Sequence, residues 1–248
     1  MPPMLAPPLT PAAQVLPQLR AHGFAVLDAA SVCQLSGARP QDLAAMAADW
    51  DDLPRDAYLL DGGRYRARRH ASFTVDGGQM ADVAHRAHWQ PKDYNALHGG
   101  LERWFEPVPA STTGSAAWRA LIVWLASLAD GLRGAQRWFG EAHEFRIDTA
   151  DGIGRPTPEG AHRDGVDLVA VFLVQRHQVL GGETRVFDLA TPLGQRFTLQ
   201  QPWSVLLMDD ARVIHESTAI RALHPYPAGL RDTLVVTLRA HGFPSPQA

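Results

Sequence analysis

Cysteine is almost missing from this chain. One residue, Cys33, stands among 248, which excludes an internal disulfide and any zinc site built from several thiolates. A basic surplus is missing too: 23 Lys+Arg stand against 26 Asp+Glu, for a formal net charge of −3. Nucleic-acid binding leaves a strong basic excess, so no nucleic-acid partner is expected. Long hydrophobic runs are absent. The nearly apolar stretch "VDLVAVFLV" (166–174) falls far short of the roughly 20 residues a membrane-spanning helix needs. The opening "MPPMLAPPLT" has no basic segment leading into an apolar one and does not read as a signal peptide. Together these features predict a soluble, cytoplasmic protein. No repeat of solenoid length occurs, and the only compositional bias is the proline-rich start. Nothing in the pattern specifies an oligomeric state.

What is present suits one large domain over 1–248, long enough to bury a substantial core, with 46% apolar and 20% charged residues. Helical spacing appears in "PAAQVLPQLRAHG" (11–23), closed by Gly23, in "QDLAAMAADW" (41–50), and most strongly in "SAAWRALIVWLASLADGL" (115–132). The Trp and Leu residues of the last segment read as core packing. "FAVLD" (24–28) reads as a short strand. From about residue 143 the pattern changes to strand-like runs: "HEFRI", "VDLVAVFLVQR", "ETRVFDL", "RFTLQ", "WSVLLMD", "RVIHEST" and "RDTLVVTLRA". Gly181-Gly182, Thr191-Pro192, Gln201-Pro202 and "HPYPAG" (224–229) separate them. Many short strands with regular breakers predict a mainly β fold, a sandwich, jelly roll or barrel, with flanking α-helices. The expected division is helical support over about 1–140 and a β core over about 141–242.

The chemistry concentrates in "PEGAHRDG" (158–165). Side chains two apart share a strand face, so His162 and Asp164 aim at one point if the strand beginning at Val166 extends back through them. A third metal ligand must come from elsewhere, and His215, in the strand-like "RVIHEST", is the best candidate. Two imidazoles and one carboxylate on one face of a metal leave three octahedral positions open, which suits non-haem Fe(II). Downstream, Arg231 and Thr233 share a face of "LRDTLVVTLRA". A guanidinium beside a hydroxyl is a receptor for a carboxylate. Alternatively, Arg231 pairs with Asp232 or Asp209 at a sheet edge.

The combination of His162-x-Asp164, His215 and Arg231-x-Thr233 resembles the Fe(II)/2-oxoglutarate-dependent dioxygenases. The "LGGET" turn (180–184) looks like that family's strand connection. "RIDTADGIGRPTPEGAHRDGVDLVAVFLV" and "GGETRVFDL" are most similar to a bacterial subgroup containing isoleucine 4-hydroxylase-type amino-acid hydroxylases and biofilm, stress and motility proteins. The resemblance covers about residues 55–240. It implies a double-stranded β-helix (jelly roll) core, Fe(II) held by His162, Asp164 and His215, and 2-oxoglutarate anchored on Arg231 and Thr233. It also implies O2 as oxidant and a small-molecule substrate, an amino acid, hydroxylated at an aliphatic carbon.

On the substrate side, "DGGRYRARRHASF" (61–73) carries Arg64, Arg66 and Arg68 at period two, with Tyr65 between the first two. Either one of these arginines or Tyr65 binds a substrate carboxylate, with Arg64, Tyr65 and Arg66 the leading candidates, or the run is a charged strand edge that resists aggregation. Glu159 is the candidate acceptor for a substrate ammonium, and Arg146 and Arg185 are candidate supports. "HRAH" (85–88) lacks an evident carboxylate partner and reads as solvated surface. Cys33 reads as an inert buried thiol, and His177 as a turn residue. Two other readings remain open at this point: a cupin-like metalloenzyme that does not use 2-oxoglutarate, and a catalytically silent protein that binds metal and 2-oxoglutarate for regulation.

Overall fold

The strongest helical pattern becomes the longest helix. Ser115 caps it by accepting a hydrogen bond from the Trp118 backbone N–H, and Trp118, Leu121, Ile122, Leu125 and Ala129 form its buried stripe. The computed structural model describes residues 4–94, 97, 99–224 and 226–246. Its helices are α1 (Val15–His22), α2 (Ala29–Ser36), α3 (Pro40–Met46), α4 (Ala110–Thr113) and α5 (Ala116–Arg133). The strands are β1 (Phe24–Leu27), β2 (Arg66–Asp76), β3 (Gln79–Asp82), β4 (Trp138–Asp148), β5 (Leu168–His177) and β6 (Val179–Gly181). They continue with β7 (Thr184–Asp188), β8 (Gly194–Phe197), β9 (Val205–Asp209), β10 (Val213–Ser217), β11 (Ile220–Ala222) and β12 (Leu230–Arg239).

A seven-stranded sheet in the order β1-β9-β5-β12-β4-β2-β3 faces a three-stranded sheet, β10-β7-β8, and β11 pairs with β6 in a small ribbon. One face of the large sheet packs on α5 and the other helices through Phe73, Trp138, Phe172 and Leu234. The opposite face meets the small sheet through Val169, Leu173, Val186, Phe197 and Met208. The mainly β jelly-roll architecture with flanking helices is therefore present. Residues before 140 supply more than helical support, because β1, β2 and β3 complete the large sheet. The run expected to be either a substrate contact or a charged edge is β2, paired along its length with β4. Its first half is buried, so the edge reading fails.

Glu144 marks an unsatisfied spot on the helix side of β4. It is 0% exposed, and no donor group of a described residue reaches either carboxylate oxygen; its hydrogen-bonding neighbour is another carboxylate, Asp49. Burial, and then the neighbouring Asp49 carboxylate, push its pKa up to about 9, against a weaker pull from Arg69. The folded chain thus holds a proton that the unfolded chain releases near the ordinary value of 4.5. This contribution is intact below that value and is lost as pH rises towards 9. Glu144→Gln removes the loss. Urea unfolding is expected to show the stability of the variant relative to the parent rising by about 4 kcal/mol between pH 5 and pH 8. An equal difference at both pH values would refute this.

Candidate metal centre and cosubstrate cavity

The convergence of His162 and Asp164 does not come from a strand. β5 begins only at Leu168, and the preceding segment is a loop held in two ways. The His162 N–H donates to the His215 carbonyl, and the His215 N–H donates back to the His162 carbonyl, both at 3.0 Å. The Asp210 carboxylate accepts from the N–H groups of Asp164, Gly165 and Val166 at 3.0, 2.8 and 3.2 Å. Sequence reasoning missed Asp210. It follows Asp209 at the end of β9, and nothing local signals that it clamps a loop 46 residues earlier.

His215 lies on β10, in register with Val186 of β7. The rings of His162 and His215 are 4.6 Å apart. Their Nε2 atoms stand 4.0 and 3.8 Å from the two oxygens of Asp164, too far for hydrogen bonds and suited to sharing an ion. His162 Nδ1 lies 3.0 Å from the Gly160 carbonyl. That contact puts the proton on Nδ1 and leaves the Nε2 lone pair facing Asp164. Burial, then the nearby His162, keep His215 neutral. These two imidazoles and one carboxylate fit a divalent iron in donor type and placement.

A second cluster, His70, His88, Glu141 and His143, also brings ligand-type atoms together, but its carboxylate and the His143 Nδ1 lone pair are already engaged. Glu141 lies 3.2 Å from His70 Nε2 and 3.0 Å from His88 Nδ1, and accepts from Arg86 Nη1 at 3.1 Å. Arg68 Nη2 donates to His143 Nδ1 at 2.8 Å. Guanidiniums at this distance oppose a cation, so this is a hydrogen-bonded network. "HRAH" is accordingly not solvated surface: His88 is buried against Glu141, a partner 53 residues away that local pattern could not reveal. His85 is exposed and contacts the Phe105 carbonyl.

Arg231 and Thr233 lie on β12, between β4 and β5, which places them centrally in the sheet. The alternative partners for Arg231 are taken. Asp232 faces the other way and accepts from Arg146 and Gln175, and Asp209 accepts from Arg133. Arg231 is 4% exposed, and no hydrogen bond or salt bridge joins its guanidinium to a described residue. Burial, then the Arg176 guanidinium, bring its pKa down to about 10. The "LGGET" turn covers it. Gly181 and Gly182 have φ of +80° and +64°, and a Cβ on Gly182 would press on Arg176 Nη1 at 2.9 Å.

One cavity of about 140 Å3 is lined by His162, Asp164, His215, Arg231, Thr233 and Glu159, and on another wall by Arg66, Arg68, Arg103, His88 and His143. Glu159 comes within 3.5 Å of His162 Nε2. Arg64 is exposed. Tyr65 is buried outside the cavity, its hydroxyl donating to Asp61 at 2.7 Å. Arg146 binds Asp232, and Arg185 pairs with Glu183 and Glu216; neither lines the cavity. Cys33 is half-buried, and no helix among the described residues is long and apolar enough to cross a membrane.

A family model described as 2OG-Fe dioxygenase matches residues 47–237. The crystal structure of a bsmA homolog from Methylobium petroleophilum PM1 is 52% identical, with a TM-score of 0.92, over 97% of this chain and 98% of that one. IDO from Bacillus thuringiensis shares the fold at 17% identity, with a TM-score of 0.76 over 94% and 100% of the two chains. The Fe(II)/α-ketoglutarate-dependent dioxygenase TqaL does so at 17% identity and 0.70, over 92% and 86%. No curated protein matches the chain. By the family match and the 52% identical relative, the chain belongs to the 2OG-Fe dioxygenases, whose reaction uses Fe(II), 2-oxoglutarate and O2.

Proposed function

We propose that this dioxygenase hydroxylates an aliphatic carbon of a free or modified amino acid. The observation that carries the reading is Arg231, a buried guanidinium without an anion, in the same cavity as two imidazoles and a carboxylate placed to share an ion. His162, Asp164 and His215 hold Fe(II) on one face. When bound, the metal with 2-oxoglutarate and O2 supplies an oxidative decarboxylation to succinate and CO2 and transfers one oxygen atom into a substrate C–H bond.

The protein's own residues do the positioning. Arg231 forks onto the distal carboxylate of 2-oxoglutarate, with the Thr233 hydroxyl beside it. Of the residues expected at the substrate carboxylate, Arg66 and Arg68 line the cavity; Arg68 is held by His143, and Arg66 takes that role. Glu159, on the metal side of the same space, accepts the substrate ammonium. Apolar side chains such as Val171 and Val235 line the space between these groups and exclude water from it.

A succinate-release screen across free and N-modified amino acids tests the reading. The expected result is release that requires Fe(II) and 2-oxoglutarate together and matches hydroxylated product in amount. O2 uptake that ignores 2-oxoglutarate would instead indicate a cupin-like enzyme. Tight 2-oxoglutarate binding without succinate from any amino acid would indicate a regulatory binding protein.

A further inference from the structure

The iron end of the cavity balances its own charge. A divalent ion, Asp164, the two carboxylates of 2-oxoglutarate and Arg231 together leave nothing over. The far wall does not balance. Arg66, Arg68 and Arg103 all line the cavity there, with side chains buried to the same degree as hydrophobic core. Among the described residues Asp56 is the one carboxylate within ion-pair distance of them, 2.7 Å from Arg66 Nε and 3.7 Å from Arg68 Nη1. Arg103 has no carboxylate within that reach among the described residues; its Nη2 donates only to the amide oxygen of Gln90 at 2.9 Å. Arg66 Nη2, Arg68 Nε and Arg103 Nε are buried donors without acceptors among the described residues. Glu141, the remaining acid of this wall, is occupied by His70, His88 and Arg86.

The three arginines are not equivalent. Arg68 is fixed: its guanidinium lies between the Phe105 and Phe145 rings, 3.7 and 4.5 Å from their centroids, and donates to His143 Nδ1. Because that nitrogen must accept, neutral His143 carries its proton on Nε2 and adds another donor to the wall. Arg66 and Arg103 remain with donor capacity unmet. A buried cation without an anion is costly, so the wall is built for ligand charge. Two cationic equivalents remain after Asp56, and Glu159 supplies one anion towards the metal side.

We infer that the substrate is an amino acid with a second acid group: one carboxylate meets Arg66, the second meets Arg103 beside His143, and the ammonium meets Glu159. This rests on the amino-acid reading above and narrows it to an acidic amino acid. A neutral aliphatic amino acid would leave Arg103 buried and unpaired.

Calorimetric titration of the protein loaded with Mn(II) and saturating 2-oxoglutarate tests the inference, since saturation keeps a diacid out of the cosubstrate position. The probes are acid–amide pairs, L-glutamate with L-glutamine and L-aspartate with L-asparagine, together with L-2-aminoadipate, L-leucine and L-isoleucine. The acid of at least one pair is expected to bind about 10- to 100-fold more tightly than its amide, the range of a charge-assisted hydrogen bond. Arg103→Met should bring acid and amide within about threefold of each other while 2-oxoglutarate affinity stays unchanged. The wild-type comparison stands even if the variant does not fold. Equal binding within every pair, or tightest binding of leucine or isoleucine, overturns the acidic substrate and leaves the amino-acid reading intact. Discrimination that survives Arg103→Met also overturns it. Binding by no amino acid, acidic or neutral, overturns both.

Discussion

Asp164→Ala is expected to abolish succinate release and to weaken Fe(II) binding by at least about 100-fold, more than loss of an outer-shell partner costs. Asp164 supplies the one anionic donor of the candidate iron site, with His162 and His215 Nε2 at 4.0 and 3.8 Å from its oxygens. Without it, two neutral imidazoles face an ion whose attraction to a carboxylate is the largest single electrostatic contribution in the site. The loop itself should survive, because it is held by main-chain bonds to Asp210 and His215 that do not involve the Asp164 side chain. Asp210 is buried and its pKa is pushed up to about 6 by that burial and by the Asp164 carboxylate. Truncating Asp164 therefore relieves a like-charge contact, and the metal-free variant should melt within about 2 °C of the parent, as a half-exposed substitution does. Metal titration and differential scanning calorimetry on the same preparation separate lost ligation from lost folding. Decarboxylation of 2-oxoglutarate by the purified variant at the parent rate would refute the ligand assignment.

Period-two reasoning placed Arg231 with Thr233 and Arg66 with Arg68 on common faces, and both pairs do lie in β-strands that line one cavity. It could not orient His162 and Asp164 in the same way. Their convergence depends on a loop whose shape is set by Asp210 from the far end of β9. The strands from 143 onward were legible because alternation and breakers are local properties of the chain. β2 was not read as a core strand, because three buried arginines and a histidine imitate a solvated edge. What buries them is remote: Asp56 on an earlier loop, His143 and Glu141 on β4, and the faces of Phe105 and Phe145. The same distance hid the role of His88. A sequence shows which residues can form a charge-compensated interior. It does not show which separated residues meet there.

Arg231→Met is expected to separate binding from stability in opposite directions. Arg231 is a buried cation with no acceptor among the described residues, brought further from its ordinary state by Arg176 nearby. Replacing it with an unbranched apolar side chain removes that cost, and urea unfolding should report a metal-free variant about 1–2 kcal/mol more stable than the parent. Binding of 2-oxoglutarate should move the other way. Its distal carboxylate would enter the cavity with no buried fork to receive it, and truncating one partner of such a pair costs about 2–5 kcal/mol. That corresponds to a rise in Kd of roughly 30- to 5000-fold. Fe(II) or Mn(II) affinity should not change, since none of the candidate ligands contacts Arg231. The gain in stability and the loss in affinity share one cause, a buried guanidinium shaped to receive an anion. A variant with unchanged 2-oxoglutarate affinity would show that another group, with Arg176 the first to examine, receives the distal carboxylate. A variant that loses stability together with affinity would show that Arg231 has a structural role in β12 as well.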